Sequence, residues 1–144
     1  MIERDNPEQL QVLLVGPDSA LLEGLSQSFA AMGYTPRVRE TLHDAREAAA
    51  SRPPLLVVVD SELAKEASAD ALAIALAPGG ALVLYHGATD VRPAVPLTLQ
   101  RSVLADLTLP LERKRLLALA QHVSERVRAT GRSQRRTPPE QQAF

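Results

Sequence analysis

The feature that most limits what this chain can fold into is an alternation. Strand-length runs rich in Leu and Val recur between Val12 and Arg128, and a helical pattern separates each run from the next. Apolar runs without polar interruption suit strands buried on both faces, and strands joined through helices suit a parallel sheet covered on both sides. Five such units are present. The first strand is Val12 to Val15, followed by Gly16-Pro17-Asp18-Ser19 as a loop with an N-cap candidate. A helix from Ala20 to Met32 then places Leu21, Leu22, Leu25, Phe29 and Met32 on one face, and Gly33 ends it. A weaker strand, Thr35 to Val38, leads to a helix capped by Thr41, with Asp44 in its first turn, that runs to about Ser51.

Pro53-Pro54 prevents further helix and opens Leu55 to Val59, too uniformly apolar for a half-exposed strand and therefore expected at the centre of the sheet. Asp60 stands at its carboxyl end. Ser68 is expected to cap a short Ala/Leu helix that Pro78-Gly79-Gly80 stops, and Ala81 to Tyr85 forms the fourth strand. Pro93 and Pro96 leave room only for a short helix from Leu97 to Val103. Leu104 to Thr108 reads as the fifth strand, Leu109-Pro110 as a turn, and Glu112 to about Arg128 as a last helix whose Leu116, Leu117, Leu119, Ala120 and Val123 face the sheet. The expected organisation is one domain over residues 10–128, with a flank at 1–9 and a flexible basic, Pro-containing tail or linker at 129–144.

Composition removes several function classes. The 144 residues include no Cys, which excludes disulfides, thiolate metal sites and cysteine nucleophiles. With no Trp, two Phe and two Tyr, the core is built from Leu, Val and Ala, and stacking platforms for bases or flavins are not available. No apolar run approaches the about 20 residues that span a bilayer. The start, Met1-Ile2-Glu3-Arg4-Asp5-Asn6-Pro7-Glu8, lacks the basic and apolar stretches of a signal peptide, so a cytoplasmic protein without membrane contact is expected. No Gly-rich phosphate loop, Walker lysine or Gly-x-Ser-x-Gly elbow appears, and an enzyme is not expected. Residues 1–111 hold 8 Lys/Arg against 14 Asp/Glu, whereas residues 112–144 hold 8 against 3. The acidic body is unsuited to nucleic acid, and contacts are expected at the basic end.

In an open parallel sheet, chemistry gathers at the carboxyl ends of the strands, here the loops of Gly16-Pro17-Asp18, Asp60-Ser61, His86-Gly87 and Leu109-Pro110. Pro54-Leu55-Leu56-Val57-Val58-Val59-Asp60 resembles the third strand of response-regulator receiver domains, Pro-Asp-Leu-Val-Leu-Leu-Asp, which ends in the phosphoacceptor. Ala105-Asp106-Leu107-Thr108-Leu109-Pro110-Leu111 is similar to that family's fifth strand and following proline. The resemblance implies a single three-layer (βα)5 flavodoxin-like, CheY-like α/β domain with a five-stranded parallel sheet in the order 2-1-3-4-5. It places the phosphoacceptor at Asp60. The magnesium-holding acid pair of the family falls on Gly16 and Pro17, with Asp18 adjacent as a helix cap. The family's hydroxyl residue falls on His86 or Gly87, its lysine on Leu109, its switch aromatic on Asp106, and its cis-peptide proline on Pro110.

Phosphoryl transfer depends on positioning and charge neutralisation, so a set reduced to Asp60 describes a degenerate pocket. The resemblance then implies a pseudo-receiver acting in signalling or transcription regulation by protein–protein contact, without cofactor and independent of phosphorylation. Its partner would be a protein or an output domain. A homodimer through the last strand and helix would use a surface including Asp106, Arg113, Arg115 and Gln121. The alternative is a working phosphoacceptor at Asp60 whose Mg2+ is held by Asp18. A metal site of Asp18, Asp60 and His86 has no support from ligand spacing, and His43 and His122 are expected on helix surfaces.

Overall fold

The computed structural model describes residues 10–66, 73–87 and 103–142. Its elements are β1 (Gln11–Val15), α1 (Ser19–Ala31), β2 (Thr35–Arg39), α2 (Leu42–Ser51), β3 (Leu56–Asp60), α3 (Ser61–Glu66), β4 (Ala81–Gly87), β5 (Val103–Leu109) and a last helix, α4 (Arg113–Gln142). The strands form one parallel sheet in the order β2-β1-β3-β4-β5. This is the expected order.

Alternation along each strand divides the core in two. Val12, Leu14, Leu56, Val58, Val83, Tyr85, Leu107 and Leu109 point to one side, where α1 contributes Leu22, Leu25 and Phe29 and α4 contributes Leu116, Ala120, Val123 and Val127. Leu13, Val15, Val57, Val59 and Leu84 point to the other, against Ala45, Ala48 and Ala49 of α2 and Ala64 of α3. Leu55 to Val59 are all fully buried, as a central strand requires. Local chemistry sets the helix ends. Asp18 Oδ1 accepts from the Leu21 N–H at 3.1 Å to start α1, and Thr41 Oγ1 accepts from the Asp44 N–H at 3.1 Å to start α2. Gly33, at φ +93°, takes the left-handed conformation that ends α1.

The third helix differs from expectation. It forms at Ser61–Glu66, directly after β3, whereas residues 73–77, the described part of the helix expected from Ser68, are not helical. Alanine content suggested helix there, but Ile74 and Leu76 recur with a period of two and pack partly buried against the α2/α3 side of the core. The helical backbone of α4 also runs on to Gln142, over residues read as a tail. Apolar periodicity ends at Val127, and Gly131, Pro138 and Pro139 beyond it are poor helix formers, so neither pattern nor propensity in the sequence signals this extension. Ser68, and the short helix expected from Leu97 to Val103 apart from Val103 itself, lie outside the described residues. No described helix is long and apolar enough to cross a membrane.

Candidate functional site

β1, β3 and β4 end side by side, and register decides what meets there. Leu14 pairs with Val58, Val58 with Val83, and Asp60 with Tyr85. Gly16 follows Leu14 by two residues, Asp60 follows Val58 by two, and Tyr85 follows Val83 by two, so all three are directed to the α1/α4 side of the sheet. The Tyr85 ring fills the space over Gly16. A Cβ on Gly16 would overlap the Tyr85 hydroxyl and would stand 3.2 Å from Asp60 Cβ and 3.3 Å from Tyr85 Cζ. Only a glycine fits beneath the phenol.

Tyr85 is 2% exposed, and its hydroxyl has no hydrogen-bond partner. Burial pushes the phenol well above its ordinary range, and the nearby carboxylates of Asp60 and then Asp18 push it further the same way. The group is therefore a neutral, space-filling phenol against two acids. Asp60 is half-buried, and its Oδ1 accepts from the Glu62 N–H at 2.7 Å, which starts α3. Ser61 beside it is fully buried, with Oγ unpartnered.

The remaining positions fall as follows. Gly16 and Pro17 stand after β1 with no side-chain oxygen, and Asp18 is occupied as the α1 cap. Leu109 is 1% exposed and belongs to the core with Leu107 and Leu116. The Leu109-Pro110 peptide is cis, as the resemblance implied. His86 turns away from Asp60 toward β5, with Nδ1 3.3 Å from Asp106 Oδ1 and Nε2 3.1 Å from Thr108 Oγ1. Asp18, Asp60 and His86 are thus not brought together. Among the described residues, the one group of three potential metal ligands is His43, Asp44 and Glu47, all exposed on α2.

On the surface named as an interaction candidate, Arg113, Arg115 and Gln121 are exposed and Arg115 Nη1 lies 3.0 Å from Glu112 Oε2. Gln121 also lines an open groove of about 340 Å³ with Met32, Tyr34, Ser124, Glu125 and Arg128. Asp106 is engaged by His86. Tyr85 is the residue that sequence reasoning missed. The available signal was its parity: it is the last side chain that β4 directs to the face of Asp60, since Gly87 has none, and it lies across β3 from the end of β1, where glycine leaves volume.

A magnesium ion needs near-octahedral oxygen coordination, usually through one or two carboxylates. The residues around Asp60 do not fit it: Gly16 and Pro17 offer no ligand, and the phenol takes the space over Gly16.

No protein-family model and no curated protein matches this chain. Solved structures do. NtrX from Brucella abortus is 19% identical, with a TM-score of 0.63 over 86% of this chain, which spans only 28% of the NtrX chain. The signal receiver domain of an HD domain-containing protein from Pseudomonas fluorescens Pf-5 is 20% identical, with a TM-score of 0.65 over 91% of this chain and 97% of its own. A CheY-like response regulator receiver domain protein from Methanospirillum hungatei JF-1 is 18% identical, with a TM-score of 0.60 over 83% and 97%. The fold is that of a CheY-like receiver domain.

Proposed function

We propose that this chain is a signal-transduction module of receiver type that works through protein–protein contact and without phosphorylation. The observation that carries the reading is the Tyr85 phenol packed on Gly16 beside Asp60. Phosphoryl transfer to a carboxylate demands that the charge on the transferring group be neutralised as it develops. Here the strand ends supply a neutral phenol, a glycine and a buried leucine where that charge would need a cation and an ammonium. The Asp60 carboxylate instead holds the first turn of α3.

The partner in this reading is a protein or a covalently attached output domain, met by the exposed side of β5 and the start of α4, around Arg113 and Arg115; a homodimer through the same surface is part of the proposal. The first of the similar structures is several times longer than its receiver-like part, which supports an output domain as the partner. Action in transcription regulation and a cytoplasmic location belong to the same reading. The second reading, phosphorylation of Asp60, rests on its place at the carboxyl end of β3. Incubation with a small phosphodonor and Mg2+, followed by intact-mass measurement, separates them. An unchanged mass is expected, and a one-phosphoryl gain that disappears in Asp60→Asn would establish the second reading.

A further inference from the structure

A second polar group lies on the other face of the β4–β5 ladder, away from Asp60 and Tyr85. The His86 side chain is 10% exposed and that of Asp106 28%. A carboxylate only accepts, so the neutral ring carries its proton on Nδ1, facing Asp106 Oδ1 at 3.3 Å. Nε2 then accepts from the Thr108 hydroxyl at 3.1 Å. The Thr108 N–H donates to Glu112 Oε1 at 2.7 Å, and Glu112 Oε2 accepts from Arg115 Nη1 at 3.0 Å. These five residues form one continuous chain from the end of β4, across β5, to the exposed start of α4.

Among the described residues, Asp106 on β5 faces the ring directly, and Glu112 with its partner Arg115 stands beyond Thr108. From α3, on the same face, come Glu62 and Lys65, which are exposed and 4.0 Å apart. Asp60 on β3 pairs in register with Tyr85 and lies on the opposite face. The charged group within hydrogen-bond distance of the ring is a carboxylate.

We infer that His86 is a proton-operated switch whose charge state is read at the start of α4 through Thr108 and Glu112. A proton taken from solvent adds an N–H at Nε2. Thr108 Oγ1, which donated to the ring, now accepts from it and turns its own proton elsewhere, while His86 and Asp106 become an ion pair that is mostly buried. The reversal occurs on the residue whose backbone N–H holds Glu112, and Glu112 holds Arg115 on the surface. Histidine is the side chain suited to this, because its charge ordinarily changes between about pH 5 and 8. The switch does not depend on whether Asp60 accepts a phosphoryl group.

The test is an amide and ring NMR titration of the 15N-labelled full chain from about pH 5 to 8. The Thr108 and Arg115 amide signals are expected to move with the midpoint of the His86 ring. In His86→Gln that movement is lost. Thr108→Val, which keeps His86 and Asp106 but removes the hydroxyl, leaves the ring titrating and Arg115 still. It also decides the matter alone if His86→Gln does not fold. An unmoved Thr108 and Arg115 in the native chain, a ring that keeps one charge state throughout, movement that survives His86→Gln, or an Arg115 that follows the ring in Thr108→Val would each overturn the inference.

Discussion

Adding one methyl group at Gly16 tests the packing on which the functional reading stands. Gly16 is not among the glycines with positive φ, so its backbone accepts alanine, and Gly→Ala at a compatible site ordinarily stabilises by about 0.4–1 kcal/mol. The structure predicts the opposite sign. The new Cβ would overlap the Tyr85 hydroxyl and press on Asp60 Cβ at 3.2 Å and Tyr85 Cζ at 3.3 Å. Overpacking of that kind costs about 1–3 kcal/mol, leaving a net loss of about 1–2 kcal/mol. Tyr85→Phe removes a buried hydroxyl that has no partner and is expected to be neutral or stabilising. In that background the overlap with the hydroxyl is gone and only the 3.2 Å and 3.3 Å contacts remain, so Gly16→Ala costs less, and the coupling between the two sites is about 1 kcal/mol. Urea unfolding followed by circular dichroism measures all four members of the cycle. A Gly16→Ala variant as stable as the native chain, or one with the same cost in both backgrounds, would show that the ring does not lie on Gly16.

Three further outcomes are expected. Leu109→Lys, which puts the family's residue type at its position, buries an ammonium at a site that is 1% exposed, and chemical denaturation should show a loss at least equal to the about 2–5 kcal/mol of a buried Leu→Ala change. Asp60→Ala removes the acceptor for the Glu62 N–H and should cost about 0.5–2 kcal/mol, while Asp60→Asn, which keeps an oxygen there, costs less; thermal unfolding of the two variants compares them. The Tyr85 phenol, held above its ordinary value of 10.0, keeps its proton in the folded chain at pH values where the unfolded chain releases it. The folded state then binds more protons, so its stability falls as pH rises past that ordinary value, and Tyr85→Phe flattens this alkaline loss in denaturation curves.

Much of the architecture was legible in residue types alone. Leu55 to Val59 specified a central strand, Pro53-Pro54 its start, Asp18 and Thr41 the helix caps, and Gly33 a helix end. The third helix was misplaced because alanine content outweighed the two-residue period of Ile74 and Leu76, which pack partly buried against the core. The extent of α4 was not legible, since its last turns lack the apolar periodicity that marks a packed helix. At the site, the absence of the acid pair, hydroxyl and lysine that the resemblance calls for could be read position by position. What replaced them could not, because Tyr85 reaches Gly16 across β3, and that contact depends on register and side-chain direction between strands distant in sequence. The pairing of His86 with Asp106 and Thr108 arises in the same way.

The most direct test of the central claim is the contact between the Tyr85 ring protons and the Gly16 α-protons, measured by nuclear Overhauser effects in the native chain, first alone and then with Mg2+ and a small phosphodonor. Strong cross-peaks of equal intensity in both conditions are the expected result. Their absence at the outset, or their disappearance once metal and phosphodonor are added, would contradict the claim.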